Sequence, residues 1–245
     1  MQCKPTSNNL VPDINSNLTF SIDESKRDSQ NIPKRFIKET LDVKELLQNN
    51  NAKVYAYVLT TVKHDEVKHK FVQKGCSPNF EGGIGTLCCC KHHMRTYPDI
   101  VKDTWIAGFT GSSKKYGYKN GLYYLAKIEE THSSFSELRK YLGQKISNNK
   151  DASEHKLGDI YFLKNNKKDP NDINNYHIPC KDHVHWKNGK SKSMEYDIEY
   201  SPKKLLVFNR ANTFVWENPI FHSKSFIGRG SRKFETIDNF MENLK

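Results

Sequence analysis

The residues with the most reactive chemistry lie in one short motif, in which three consecutive cysteines are followed by a lysine and two histidines. Cys90 precedes His92 and His93, and a thiolate beside basic groups is the arrangement that nucleophilic cysteine enzymes use. Such catalysis also needs a base in contact with the thiol and a third group that orients the base, and adjacency in sequence supplies neither. Cys90, His92 and His93 are therefore catalytic candidates, and the sequence does not decide whether the protein is an enzyme.

A tetrahedral zinc site is the second chemistry that these residue types allow. In an extended segment Cys88 and Cys90 would share one face, and His183 and His185 would complete a set of four ligands. The spacing matches no standard zinc finger or ribbon, and free cysteine is commonly a small buried hydrophobic residue. A zinc-stabilised structural or interaction domain is thus an alternative, whereas the sequence itself predicts no cofactor.

Basic residues near aromatic ones form the third group of candidates. The 245 residues include 39 Lys and Arg against 28 Asp and Glu, a net charge of +11 that attracts phosphate backbones. Much of the lysine accompanies asparagine, which compositional bias alone also produces. The basic and aromatic candidates for holding phosphate or lining a base pocket are Lys91, Arg95, Tyr97, Trp105, Arg229 and Arg232. Trp105 also fits a core position, and residues 228–233 also fit a solvated loop before a helix.

Several protein classes are excluded or disfavoured by what the sequence lacks. It contains neither a phosphate-binding P-loop nor a dinucleotide-binding glycine motif. No apolar run reaches about 18 residues, and the first ten residues lack the apolar core of a secretory signal. Three adjacent cysteines make a poor disulfide framework. We therefore predict a cytoplasmic protein with reduced cysteines and no membrane partner.

Hydrophobic patterning divides the chain into a polar tail over residues 1–34, a short helix and linker over 35–52, and one domain over 53–245. Strands are predicted at residues 54–62, 84–90, 105–110, 121–128, 159–163, 205–208 and 213–216. Ser134, Glu137 and Gly143 mark both ends of one helix, and an apolar pattern over residues 234–241 predicts a terminal helix. Since no regular β-α-β alternation occurs, we expect an α+β domain with a curved mixed or antiparallel sheet.

Three blocks of this sequence resemble the nucleotide modification associated domain 2 family. Residues 75–80, 87–95 and 105–109 are similar to its A-P-N, C-K-P-x-I-R and G-D-W-I segments, and the likeness extends over roughly residues 53–243. The chain departs from the pattern where His92 replaces the proline, Met94 replaces the isoleucine and Ser231 replaces a histidine that often follows Arg-Gly. The acidic residue of the third block is displaced to Asp103.

The resemblance implies a role in systems that modify DNA bases, often in phage or in defence against phage. The order of elements is also similar to small PUA-like β-barrels with flanking helices, including the EVE and YTH modules, which receive an extruded base in a pocket. We therefore predict binding of nucleic acid or a modified nucleobase or nucleotide, with Asn79 contacting the base edge. The alternative is an enzyme that acts on modified bases through Cys90 or a nearby histidine. The sequence fixes neither the base nor the oligomeric state.

Overall fold

A curled six-stranded sheet, which forms half of a barrel, is the centre of this α+β fold. The computed structural model describes residues 27–40, 51–112, 119–180, 183, 192–200, 204–221 and 230–244. The sheet has the strand order β4-β7-β6-β5-β1-β8, and β2 and β3 form a separate hairpin. The strands are β1 (Val54–Leu59), β2 (Val62–Asp65), β3 (Lys70–Gln73), β4 (Thr86–Leu87), β5 (Trp105–Thr110), β6 (Gly121–His132), β7 (Leu205–Phe221) and β8 (Ser231–Phe234).

The sheet is mixed, because β1 and β5 run parallel while the other neighbours run antiparallel. Aromatic and aliphatic residues alternate between its two faces, as the period of a strand requires. In β1, Tyr55 and Tyr57 pack into the core on one face, and Val54 and Ala56 pack into the core on the other. A third apolar cluster packs around Phe135 of the first long helix. The predicted curved mixed sheet is confirmed.

Short helices flank the sheet. They are α1 (His92–Arg95), α2 (Phe135–Leu142), α3 (Gln144–Asn148), α4 (Lys192–Glu195) and α5 (Ile237–Glu242), with 3₁₀ turns at Lys34–Phe36, Glu81–Gly83 and Ile173–Asn175 and a π-helical turn at Tyr196–Tyr200. Helix α2 begins as predicted, because Ser134 Oγ accepts a hydrogen bond from the Glu137 amide. It ends at Gly143, whose φ of 76° favours glycine. Among the described residues, no helix is long and apolar enough to cross a membrane.

Several elements differ from their predicted extent. The strand expected over 84–90 is reduced to β4, and the residues after it turn. The segment over 159–163 makes only isolated bridges. The strands expected at 205–208 and 213–216 are one strand, β7, which bends where Asn209 Oδ1 accepts hydrogen bonds from two following amides. Phe234 ends β8, and the terminal helix starts three residues later.

The amino-terminal segment also departs from its expected form. Residues 34–36 form a 3₁₀ turn, and Ile37 forms a β-bridge with Val215, whereas most of the helix expected over 35–48 lies outside the described residues. Residues 27–34, assigned to the polar tail from sequence, pack on the domain. Gln30 is only 7% exposed, and its backbone amide donates to the Gln73 carbonyl.

Candidate functional site

The segment with the reactive residues is a turn rather than a strand. Lys91 adopts the left-handed backbone conformation, with φ of 57°, and α1 starts directly after it. This conformation costs a lysine about 1–2 kcal/mol. The Cys90 carbonyl helps to hold the turn by accepting a 2.8 Å hydrogen bond from Arg95 Nε. The turn leaves Cys90 partly exposed and buries Met94 and Arg95.

Arg95, predicted to hold phosphate, is a buried structural residue. Its guanidinium donates to the carbonyl oxygens of Cys90 and Lys204, at 2.8 and 2.7 Å. One terminal nitrogen also lies 3.1 Å from His92 Nδ1 and 3.9 Å from Asp197 Oδ1. With 1% of the residue exposed, Arg95 binds parts of the protein itself, and a phosphate would have to displace those partners.

His92 forms a buried network with Asp197. Because a guanidinium only donates, His92 Nδ1 must accept the hydrogen bond from Arg95, and the ring proton therefore lies on Nε2. His92 Nε2 lies 2.9 Å from Asp197 Oδ1, and Tyr161 donates to Asp197 Oδ2 at 3.3 Å. Burial raises the pKa of Asp197, while His92 and Arg95 oppose the rise. His92 is thus held between Arg95 and Asp197.

Of the two cysteines proposed for zinc, Cys88 lies in the core, next to the equally buried Cys89, whereas Cys90 is partly exposed. Cys88 is fully buried, Cys89 is 3% exposed, and the Cys89 thiol donates to the Asp159 carbonyl at 3.0 Å. Burial raises the pKa of Cys88, and it raises the pKa of Cys89 to about 12, so both thiols are protonated. Among the described residues, no group of three His, Cys, Asp or Glu side chains is arranged to hold a metal ion.

Of the two histidines proposed as zinc ligands, His183 and His185, the structure describes only His183. His183 is 2% exposed, and its Nε2 lies 3.0 Å from the Gly158 carbonyl oxygen. An imidazole nitrogen must donate to a carbonyl, so this nitrogen carries a proton and has no lone pair for a metal. His185 lies outside the described residues.

Asn79, predicted to contact a base, binds the protein interior instead. It is fully buried, and its Nδ2 donates to the Leu157 carbonyl at 2.8 Å. Its Oδ1 accepts from the Glu81 amide at 2.9 Å and from Lys150 Nζ at 2.7 Å. A base could reach Asn79 only after these bonds were broken.

Lys150 and Asp159 are two buried ionisable residues, linked through Thr86, that sequence reasoning did not identify. Lys150 Nζ donates to both oxygens of Asn79 and to Thr86 Oγ1, and Thr86 in turn donates to Asp159 Oδ2 at 2.9 Å. Burial raises the pKa of Asp159 to about 6, and the Lys150 charge opposes the rise. The one signal in the sequence was the position of Asp159 directly before an apolar run.

The predicted aromatic residues divide between core and surface. Trp105 is 3% exposed and stacks on Phe214 at 6.3 Å, so it belongs to the core. Tyr97 is partly exposed, and its ring contacts those of Tyr55 and His93 at 5.7 and 5.4 Å. Of the two, Tyr97 is the residue whose ring borders solvent.

Lys91 and Arg232 lie on opposite faces of the sheet. Lys91 Nζ lies 4.9 Å from the centre of the Tyr57 ring. Arg232 pairs in register with Ala56, the residue before Tyr57, and its guanidinium lies 4.8 Å from the Phe234 ring. Because consecutive residues of a strand point to opposite faces, these two cations do not share a pocket. Arg95 and Asn79 are buried as well, so the described residues that were predicted to bind nucleic acid do not converge on one pocket. Arg229 lies outside the described residues.

Cationic side chains converge instead on a groove of about 1110 Å³ between the amino-terminal segment and the β2–β3 hairpin. We call it the cationic groove. Its charged residues are the cations Arg27, Lys34, Lys68, Lys70 and Lys74 and the carboxylates Asp28, Asp65 and Glu217. Sequence reasoning missed this site because its first two cations were assigned to a tail, although the charged run over 63–70 was visible.

Ion pairs occupy some of these cations but not all. Arg27 lies 3.0 Å from Glu81, and Lys70 lies 2.6 Å from Glu217. Lys34 and Lys74 are exposed, and neither makes an ion pair within the part of the chain that the structure describes. The cationic groove therefore presents two exposed ammonium groups outside ion-pair contact, of which that of Lys74 still interacts electrostatically with Asp28 and Asp65.

Comparisons with protein-family models, with curated proteins and with solved structures find no match to this chain. The family resemblance of residues 53–243 therefore stays a prediction.

Proposed function

We propose that the protein binds a nucleic acid whose sugar–phosphate backbone lies in the cationic groove. The observation that carries the proposal is the convergence of five cationic side chains, from residues 27–34 and 68–74, on one surface. The net charge of +11 adds a long-range attraction for polyanions. Phosphate binding by such a surface is driven mainly by the release of counterions.

The existing ion pairs in the cationic groove are compatible with an incoming phosphate. Lys70 with Glu217 and Lys68 with Asp65 are partly exposed pairs, and such pairs contribute about 0–1 kcal/mol each. A phosphate can therefore replace a carboxylate at little cost. Lys34 and Lys74 need no exchange, so we assign them the largest share of phosphate binding.

The dimensions and lining of the cationic groove favour a polymer over a single small molecule. Its volume of about 1110 Å³ lies above the range of roughly 300–1,000 Å³ that is typical of small-molecule pockets. Phe71 is the aromatic residue that lines it, and with 7% of its surface exposed it offers no open ring face for stacking. We therefore expect contacts with the backbone and little discrimination among bases.

The test is the affinity for fluorescein-labelled 20-mers of single-stranded DNA, single-stranded RNA and duplex DNA, measured by anisotropy between 50 and 300 mM salt. With three to five phosphate contacts, a plot of log K against log salt should fall with a slope of about −2 to −4. The Lys34→Gln/Lys74→Gln variant should bind on the order of tenfold more weakly at 100 mM salt, with a shallower slope by about 1.4.

The matched control is Lys140→Gln/Lys145→Gln, which removes the same charge from exposed positions on α2 and α3. It should keep most of the affinity. If both double variants weaken binding equally, net charge alone accounts for the affinity. If the affinity does not change with salt, the bound nucleic acid makes no phosphate contacts. Either result would refute the cationic groove as the binding surface.

A narrower proposal concerns the ligand and its setting. Under this narrower proposal the ligand is a modified nucleobase, the fold is a PUA-like barrel, and the protein acts in the cytoplasm in DNA modification or phage defence. Its support is the resemblance of residues 75–80, 87–95 and 105–109 to the nucleotide modification associated domain 2 family. Competition between modified and unmodified oligonucleotides of one sequence tests it. Preference for the modified strand would support the narrower proposal, whereas equal affinity would leave only backbone binding.

A further inference from the structure

A bulge in β7 carries an exposed arginine. Lys127 of β6 stands opposite residues 209–212 of β7, because the residues on either side of this stretch pair with each other. Asn209 Oδ1 fixes the bulge by accepting hydrogen bonds from the two backbone amides that follow Arg210, both at 3.0 Å. Bulges are common beside functional sites, where they redirect a side chain. The bulge thus holds the backbone of Arg210 in place at the surface.

Arg210 lines a second pocket, which we call the bulge pocket. Glu129 of β6 and Tyr141 of α2 also line it, and the buried residues Ile84 and Leu142 contribute apolar surface. Its volume of about 400 Å³ lies within the range of roughly 300–1,000 Å³ that is typical of small-molecule sites. Among the described residues, none lines both this pocket and the cationic groove.

The polar groups of the bulge pocket are open to a ligand. Tyr141 is 44% exposed, and its ring centre lies 4.9 Å from that of His132, a contact that helps to fix its position. Within the segments that the structure describes, neither Glu129 nor Arg210 makes an ion pair. Burial raises the pKa of Tyr141, the Glu129 charge adds to this rise and the Arg210 charge opposes it. The three groups thus lie within electrostatic reach of one another.

The three groups match the parts of one nucleotide. A carboxylate accepts hydrogen bonds only, and its two oxygens match two neighbouring N–H donors. Guanine is the common base that offers such a pair, from N1 and N2 on its Watson–Crick edge, which is the edge that base pockets read. A tyrosine ring stacks on any planar base, and a guanidinium binds phosphate through paired donors.

We propose that the bulge pocket binds a guanine nucleotide. The base stacks on the Tyr141 ring, its N1 and N2 donors bind the Glu129 carboxylate, and its phosphate binds the Arg210 guanidinium. This binding is independent of the proposed function, which rests on other residues.

Isothermal titration calorimetry of the full chain with GMP, AMP, CMP and UMP tests the proposal. GMP should bind on the order of tenfold more tightly than the other three, because a bidentate pair discriminates between bases by that order. Glu129→Gln should reduce the affinity for GMP to that for AMP, since the amide turns a donor toward the guanine edge. The control Glu130→Gln, which removes the same charge from a position outside the pocket, should keep the preference for GMP.

Variants of the other two residues test the phosphate and stacking contacts. Arg210→Gln should weaken the binding of all four mononucleotides alike, by roughly fivefold, whereas the control Lys145→Gln removes an exposed cation of α3 and should not. Tyr141→Ala should bind about fivefold more weakly than Tyr141→Phe, because only phenylalanine keeps a ring for stacking. Circular dichroism establishes that each variant is folded.

Competition of GMP with two oligothymidylates, one of which has a central guanine, identifies the source of the nucleotide. Displacement by the guanine-containing strand alone means that the pocket receives an unpaired guanine of a strand, and displacement by neither restricts it to free nucleotides. The proposal is overturned if both strands displace GMP equally, if no mononucleotide binds or all four bind alike, or if the folded Glu129→Gln variant keeps the preference for GMP.

Discussion

His92 Nε2 lies 2.9 Å from Oδ1 of Asp197, a carboxylate that is 2% exposed. This contact gives a structural role to His92, whose position near three cysteines in the sequence suggests catalysis. With Arg95 donating to its other nitrogen, the ring is held between a buried cation and a buried anion. His92 therefore joins α1 to the segment around residue 197, and its role in the described structure is to hold these two parts together.

The first prediction concerns this buried network. Asp197→Asn keeps the shape of the side chain but removes the negative charge that faces Arg95. Loss of one member of a buried ion pair typically costs about 3–5 kcal/mol, and we expect a decrease near the lower value because Arg95 keeps its two carbonyl partners. Urea denaturation measures it, with the exposed Glu39→Gln as control. A decrease below about 0.5 kcal/mol would contradict the assignment.

The second prediction is a pH dependence of stability that arises from Asp159. Burial raises its pKa from 3.8 to about 6 in the folded state. Between pH 6 and 4 the folded protein holds this proton while the unfolded chain releases it, so the free energy of unfolding rises as the pH falls, by up to about 3 kcal/mol from this group.

The Asp159→Asn variant isolates that contribution, because every other titrating group is common to both proteins. Urea denaturation at pH 4.5, 5.5 and 7 should show a smaller rise on acidification for the variant than for wild type. Parallel curves for the two proteins would mean that burial does not raise the pKa of Asp159.

The third prediction separates structure from ligand binding at Asn79. Asn79→Ala removes one donor and one acceptor from the interior and leaves the Leu157 carbonyl and the Lys150 ammonium with fewer partners. Unsatisfied buried groups cost about 1–3 kcal/mol, so unfolding should shift to lower urea concentration. The folded variant should bind nucleic acid as wild type does. A loss of affinity without a loss of stability would restore Asn79 as a ligand contact.

The fourth prediction concerns close packing between β5 and β6. A Cβ at Gly108 would collide with the Tyr124 ring and with Leu59 Cδ1, whereas a Cβ at Gly111 would meet open space. Gly108→Ala should therefore destabilise the protein by about 1–3 kcal/mol through overpacking, and Gly111→Ala should lie within about 0.5 kcal/mol of wild type. Thermal unfolding compares the two, and equal melting temperatures would exclude the tight contact.

Elements with strong local signals were predictable from sequence. The residues of β5 and of β6 through Ile128 are apolar and β-rich, and α2 has a capping serine at one end and a glycine at the other. The predicted bounds of strands were wrong where contacts with residues distant in sequence determine the backbone conformation. Residues 88–90 were predicted to continue a strand, yet the backbone turns there, and the turn depends on the hydrogen bond that Arg95 donates to the Cys90 carbonyl and on the bond of Arg95 to the distant Lys204 carbonyl.

The candidate site was less predictable, because its chemistry depends on burial. Arg95 and Lys91 are both cations beside an aromatic motif, but one is buried in hydrogen bonds and the other lies over a tyrosine ring. Residue type alone does not distinguish them. The cationic groove was not predicted for a related reason, since Lys34 and Lys74 line the same groove only because the amino-terminal segment docks on the domain.

Gln30 helps to hold the amino-terminal segment on the domain, and this docking makes ligand binding in the cationic groove depend on folding. Its Nε2 donates to the Gly75 and Pro78 carbonyls at 2.8 and 2.7 Å, and its Oε1 accepts from the Phe80 amide. An unfolded chain scatters the cations that these bonds assemble, so a polyanion would bind the native state selectively. By mass action, a ligand at one hundred times its dissociation constant adds about 2.7 kcal/mol to stability. The melting temperature of this protein would then serve as a direct gauge of bound nucleic acid.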